Sequence, residues 1–578
     1  MMDELRRQLL KAHADDSFFK IICELISKKE TSDDCVNELI LLHNESQIDI
    51  VTIYKQLKNR PNQNFHYFTA REVFNKVLPK INASTREVME CVLHLIKEAG
   101  NDLTSCLPLS SFTDFCSNQY KRPIEALKIA KASPELWRDF IRPTIIAGTR
   151  IDLEQFFNEA IHLIYKKNPV LRGAGSSSLG YIQYPSNSKL LGIALEHLET
   201  VVANEIDDAI LSYIVYSICN VCKKNETLIG KGETILKTAL TKGAQNTLHA
   251  AATIFGLESQ NTSKLLLDTI LPFLLKTDVS IIKTVELLDY GISYLLEQKD
   301  KTQGINFLES FLLTHNKDFS LKSFNYTMHV IYKNKKLLNR LLTRWFLQGE
   351  SCLCLGIQYI LDLATEEPLL EVDLTELKSN EPFYLIFLAH KAIAYLFTKP
   401  IACTSIILSL MRKTQDKGTI DQFSDLLFEP LLINFVGNLY EFLSNHISKE
   451  SEIIKQAVQK SLDRVDDYQS TIESVGNIPE LHPSQEQKEM QVRFLNQIIS
   501  EQYKEAMKKS IVNLVRKITF LYGRTLIIYT NNQGKSTRTE IPMNVISVEM
   551  KMPRQAYINP FELEYIINLF KAERIEEQ

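Results

Sequence analysis

Apolar residues recur along most of the chain at helical spacing. Ile281, Val285, Leu288, Ile292 and Leu295 step by four, three, four and three, which places them on one helix face. Leu321, Phe324, Met328 and Ile331 repeat the pattern behind Ser320, a capping residue, and Leu338, Leu341, Leu342 and Trp345 form the next stripe. Turn signals arrive roughly every 15 to 22 residues, a helix-plus-turn spacing. From residue 189 to 446 the pattern predicts a train of similar helices, the form an irregular helical repeat (α-solenoid-like) or a multi-helix body takes in a single sequence.

The rest of the chain is read relative to that train. Residues 1–167 form an N-terminal helical domain of shorter helices, broken at Pro61, Pro123 and Pro134. Asn168-Pro169 then opens a run rich in Gly and Ser, Gly173-Ala174-Gly175-Ser176-Ser177-Ser178-Leu179-Gly180, which predicts a loop or linker over 168–188 and a domain boundary there. Residues 447–522 predict a charged helical hairpin: a stripe of Ile454, Val458, Leu462 and Val465, then a second helix with Leu495, Ile499, Tyr503, Met507, Ile511, Leu514 and Ile518 on one side. Residues 523–578 predict a small α/β module, an antiparallel β-meander plus helices. Its signals are a β-branched run from Arg524 to Thr530, turn chemistry at Asn531–Gly534, alternation over Val545–Met552, and a helix opened by Asn559-Pro560. The fold class is therefore predominantly α with a small C-terminal α/β module.

Composition narrows the function classes. Hydrophobic residues make 45% of the 578 and charged residues 24%, which is globular rather than disordered, and the net charge of −4 supplies no global basic field. The 10 cysteines are scattered, the usage of a reducing compartment, so a cytoplasmic protein is expected. No apolar segment suited to a secretory signal follows Met1. The most apolar stretch, Phe383–Phe397, is interrupted by His390-Lys391 and falls short of the ~20 residues of a membrane span, so it reads as a buried helix.

Candidate chemistry is sparse. Arg172, Gly173, Gly175 and Ser176 could present backbone N–H groups and a guanidinium to an anion, although the Lys-Ser/Thr ending of a phosphate-binding loop is missing. Lys504, Lys508, Lys509, Arg516, Lys517 and Arg524, interleaved with Tyr503, Phe520 and Tyr522, make a basic stretch suited to nucleic acid or an acidic partner. Gly534-Lys535-Ser536 lacks the earlier Gly of a Walker motif and reads as a turn. Cys219-x-x-Cys222 and Cys352-x-Cys354 have no second ligand pair and read as core thiols. Asp373, Glu376 and Lys378 spell an acid-acid-lysine string without the hairpin a metal nuclease uses, so they read as surface charge. Arg60 and His66 stand at a spacing that resembles the Arg-x5-His signature of the HEPN ribonucleases, where both would act on RNA. Pro61 departs from that pattern, and the two read as loop residues.

These readings lead to a non-enzymatic interaction scaffold or adaptor subunit of a larger complex, with a protein as the expected partner. Neither a cofactor nor a metal nor a membrane is called for. The alternative is a nucleic-acid-binding or nuclease-like effector acting through the 168–188 loop or the basic C-terminal stretch.

Overall fold

A computed structural model describes residues 2–15, 17–27, 32–59, 65–100, 106–185, 188–364, 366–377, 381–476, 484–486, 489, 492–493 and 560–575, together with the backbone of 518–522, 525–532 and 535–542. The chain is predominantly helical. It divides into two compact units, Met1–Ile331 and Tyr332–Gln578.

The first unit opens with helices α1 (Met2–Ala14) through α9 (Arg138–Thr149) and α10 (Leu153–Ile164). Next come α11 (Pro169–Tyr181), α12 (Lys189–Asn204), α13 (Asp208–Lys224), α14 (Ile229–Lys242), α15 (Gln245–Leu257), α16 (Lys264–Leu274), α17 (Ile282–Glu297) and α18 (Thr302–Thr314). The odd helices α11, α13, α15 and α17 lie side by side in one layer, and α12, α14 and α16 lie side by side in the other. A helix with neighbours on every side must be apolar nearly all round. α13 touches α11, α12, α14 and α15, and buries Ile210, Leu211, Ile214, Val215, Ile218, Cys219, Val221 and Cys222.

Cross-helix polar contacts fall at a nearly constant offset. The hydroxyl of Thr247 donates to Asp208 (2.6 Å), Nδ1 of His249 meets the hydroxyl of Thr284 (2.8 Å), and the N–H of Thr327 donates to Asp289 (2.8 Å). The partners are 39, 35 and 38 residues apart. Each threonine is at most 1% exposed and sits in the first turn of its helix. Asp208 also accepts the N–H groups of Ala244, Asn246 and Thr247, donors that α15 leaves without intrahelical partners. The ladder fixes the register of each odd helix on the one before it.

The Gly/Ser run requires correction. Residues 169–181 are not a loop: they form α11, packed on α9, α10 and α13, and no boundary between compact units falls there. The side chain of Asn168 caps the helix through the N–H of Leu171 (3.1 Å), and Pro169 occupies the first turn, where its missing N–H costs nothing. Glycine allows close approach here. A Cβ on Gly180 would lie 2.6 Å from Ser217 Cα, and one on Gly175 would lie 2.9 Å from the carbonyl oxygen of Ala160.

The second unit contains α20 (Lys335–Gln348), which follows α19 (Asn325–Lys333), then α21 (Ser351–Leu361), α22 (Pro382–Leu396), α23 (Pro400–Met411), α24 (Lys417–Leu426), α25 (Val436–His446) and α26 (Glu452–Val475). An extended stretch crosses α20 and α23 and is stitched to them by alternating donors. The N–H groups of Leu370 and Val372 bond to Ser405 and Ser409 of α23; those of Glu371 and Asp373 bond to Asn339 and Thr343 of α20. A strandless, half-buried segment needs such side-chain acceptors, because its N–H groups have no ladder. α26 buries Ile454, Val458, Leu462 and Val465, the stripe read from sequence. Its expected hairpin partner lies outside the described residues except for isolated positions.

Ile518–Tyr522 (β1), Thr525–Asn532 (β2) and Lys535–Pro542 (β3) pair antiparallel in the order β1-β2-β3. Ile518, counted on a helical stripe, thus pairs with Tyr529 in a strand, and its Ile-Thr-Phe-Leu-Tyr context suits that conformation. The expected strand at 545–552 lies outside the described residues. The closing helix, α27 (Pro560–Ala572), packs on α22.

Candidate interaction surface

The outer side of the odd layer carries aromatic hydroxyls. Tyr181 (43%), Tyr213 (42%), Tyr290 (37%) and Tyr326 (53%) are exposed, although their helices are otherwise packed. Tyr213 lies over Gly173, where an added Cβ would come within 3.1 Å of its ring. The Arg142 guanidinium sits 4.8 Å from the centroid of Tyr181 and donates to the hydroxyl of Ser177 (3.2 Å). Tyr290 and Tyr326 pack with centroids 4.6 Å apart, and the Tyr290 hydroxyl donates to that of Tyr326 at 3.3 Å.

Between these pairs lie Tyr216 and His249. Burial raises Tyr216 above the usual tyrosine range, and a hydrogen bond with Thr253 opposes the rise. Burial also lowers His249, helped by the charge of Lys283, so the neutral imidazole is favoured. On the other layer Lys231 pairs with Glu196 and Glu199, and Gln303 donates to Asp268. Each layer carries both kinds of group: Lys223 pairs with Glu258 beside Tyr216 on the odd layer, and the Tyr165 hydroxyl meets His197 of α12 on the other, but the run of exposed tyrosines from α13 to α19 belongs to the odd layer. Tyrosine is enriched where one surface meets another, because a large apolar ring ends in a polar atom.

The residues singled out from sequence do not join this surface as a ligand site. Gly173, Gly175 and Ser176 are buried inside α11. Arg172 is spent on its own chain: Nε donates to Glu205 (2.9 Å), Nη2 to the same carboxylate (3.3 Å), and Nη1 to the carbonyls of Lys166 and Lys167. Burial alone would raise Glu205, but Arg172 and the N–H groups of Ile206 and Asp207 outweigh it and hold the carboxyl below its usual range. Lys504, Lys508, Lys509, Arg516, Lys517 and Arg524 lie outside the described residues.

The remaining candidates separate. Cys219 and Cys222 are buried thiols; burial raises Cys219 and pushes Cys222 up to about 12, far from the thiolate a metal or redox site needs. Glu376 pairs with Arg340 at 2.5 Å and lies 3.9 Å from Arg344, while Asp373 accepts the N–H of the nearby Thr375. Lys378 and Arg60 lie outside the described residues, and His66 caps the helix Tyr67–Val77 through the N–H of Thr69. Among the described residues, no three His, Cys, Asp or Glu side chains come together as a metal site, and no helix is long and apolar enough to cross a membrane.

The tyrosine edge was not read from sequence. Its signal was faint: Tyr213 and Tyr290 stand among other polar residues on the outward faces of α13 and α17, and only the layer order places them on one side. No protein-family model matches the chain, and no curated protein is similar to it at a significant level.

Proposed function

We propose that the chain is a non-enzymatic interaction scaffold, an adaptor subunit of a larger intracellular complex, built as an irregular α-solenoid-like repeat with a small C-terminal α/β docking module. The observation that carries this reading is the contact ladder: Asp208–Thr247, His249–Thr284 and Asp289–Thr327 recur at 39, 35 and 38 residues. Such a period is what stacked helical pairs produce, and stacked pairs display long surfaces that rigid short loops hold in place. The tyrosine edge of the odd layer is the surface suited to a protein ligand. The ten cysteines stand as thiols, which agrees with a reducing, cytoplasmic setting.

The nuclease-like alternative loses one of its two supports, since the proposed anion loop is a packed helix with its arginine paired. The test is comparative affinity purification from the native host. Tyr213→Ala/Tyr290→Ala/Tyr326→Ala should lose the proteins that co-purify with the wild type, whereas Lys237→Glu on the opposite layer should retain them. An unchanged set, or turnover of nucleotide or nucleic acid abolished by a point mutation, would overturn the scaffold reading.

A further inference from the structure

The apolar run of α22 is interrupted by His390-Lys391, and these two residues grip α27. The last carbonyls of any helix lack intrahelical partners, and a cation there is favoured by the helix dipole. Lys391 supplies that cation to α27. Its ammonium donates to the carbonyls of Phe570 (2.9 Å), Lys571 (2.9 Å) and Glu573 (2.7 Å), which uses all three of its donors. The Lys391 residue is wholly buried. The His390 ring stacks on Phe570 with centroids 4.0 Å apart and planes 7° from parallel, and its Nδ1 meets the Glu573 carboxylate at 2.8 Å. Phe387, one turn before Lys391, lies 5.0 Å beneath the ammonium, and Lys571 lies 5.9 Å from the ring of Tyr395. Phe387, His390, Lys391 and Tyr395 follow helical spacing, so one face of α22 makes all these contacts.

Among the described residues, α27 packs on α22 through one flank. Leu563 is buried, but Phe561 (81%), Tyr565 (67%) and Leu569 (54%) face outward. A 13-residue helix is marginal by itself and depends on its docking site. What His390 and Lys391 contact belongs to the last turn of that helix and the residue just past its end: three backbone carbonyls, one ring and one carboxylate.

We propose that Phe387, His390 and Lys391 form a receptor for the C-terminal turn of an amphipathic helix, with α27 as its exchangeable occupant, so that the same helix of a second copy of this chain can take its place. Because α27 is tethered to its own receptor, exchange is favoured only where the cis contact is weakened or the second copy is abundant.

The probe is a fluorescein-labelled peptide of residues 557–576, standing in for the second copy's helix, added to the full-length protein. Phe570→Ala/Glu573→Ala weakens the cis occupant while leaving the receptor intact. Anisotropy should show the peptide binding this variant at least tenfold more tightly than the wild type, and Lys391→Met added to it should lower affinity at least tenfold. Because Lys391→Met could disturb α22 itself, His390→Ala in an otherwise native chain supplies a second readout. Amides of 563–573 should then exchange hydrogen faster, with those of α20 and α26 unchanged. Absence of peptide binding to the double variant, binding insensitive to Lys391→Met, or unaltered exchange in His390→Ala would each refute the proposal.

Discussion

Gly180→Ala distinguishes a packed helix from a linker by the sign of its effect. In a linker the substitution is neutral or slightly stabilising, because alanine narrows the unfolded ensemble. In α11 the new Cβ would meet Ser217 at 2.6 Å from Cα and 2.7 Å from Oγ. Carbon atoms pack at roughly 3.5–4.0 Å, so α11 and α13 would have to part by about 1 Å. Overpacking of this kind costs about 1–3 kcal/mol. The Ser217 hydroxyl, which donates to the carbonyl of Ser176 at 2.7 Å, would be displaced as well, costing about 1 kcal/mol more. Helix propensity returns about 1 kcal/mol at most. The net expectation is a loss of about 1–3 kcal/mol. Gly192→Ala is the internal control: it lies in α12 with nothing within 4 Å of the added atom, and should gain about 0.5–1 kcal/mol. Urea denaturation followed by hydrogen exchange of α11 and α13 amides would read both. If Gly180→Ala proves neutral or stabilising, as Gly192→Ala should be, the packing argument fails.

Four further outcomes follow from the same structure. Asp208 is raised by burial but lowered on balance by Thr247 and by three N–H groups, below its ordinary value of 3.8. Its contribution is therefore present above about pH 4 and fades as pH falls through the native value; Asp208→Asn should destabilise by about 1–2 kcal/mol at pH 7 and progressively less in acid unfolding titrations. Asp289 runs the other way: burial raises it, so ionisation at neutral pH costs stability, and Asp289→Asn should cost less than Asp208→Asn in the same titration. Arg172→Ala leaves the buried Glu205 carboxylate without its counter-ion, held only by the N–H groups of Ile206 and Asp207, which should lower stability by roughly 3 kcal/mol in denaturant melts without creating or removing anion affinity. Alkylation of the native protein should label the exposed Cys106 first, whereas Cys35, Cys91, Cys116, Cys219, Cys222, Cys354 and Cys403 should react only after denaturation. Peptide mass mapping of the labelled thiols checks the order.

Helical periodicity was legible because burial acts residue by residue. The stripe Val285, Leu288, Ile292 and Leu295 is buried in α17 as its spacing implies, and so is that of α26. The Gly/Ser run misled because glycine has two uses, conformational freedom in loops and close approach in helices, and local sequence does not say which applies. Asn168-Pro169 was equally ambiguous, since the same pair opens turns and caps helices. The division between compact units, at Ile331, is marked by no run of Gly or Pro and left no local trace. His390-Lys391 was visible as a polar interruption of an apolar helix, but its partner lies about 180 residues away, beyond any periodic signal. The tyrosine edge has the same origin in long-range order, because its members come from helices joined through the opposite layer.

The central claim, a scaffold that binds protein through the odd layer, is tested most directly by a hydrogen-exchange footprint. The full-length chain would be compared alone and with the partner recovered from its native host. The account predicts slowed exchange in the exposed turns of α13, α15 and α17 around Tyr213, His249 and Tyr290, with α12, α14 and α16 unaffected. Protection confined to α12, α14 and α16, or absent from both layers, would contradict it.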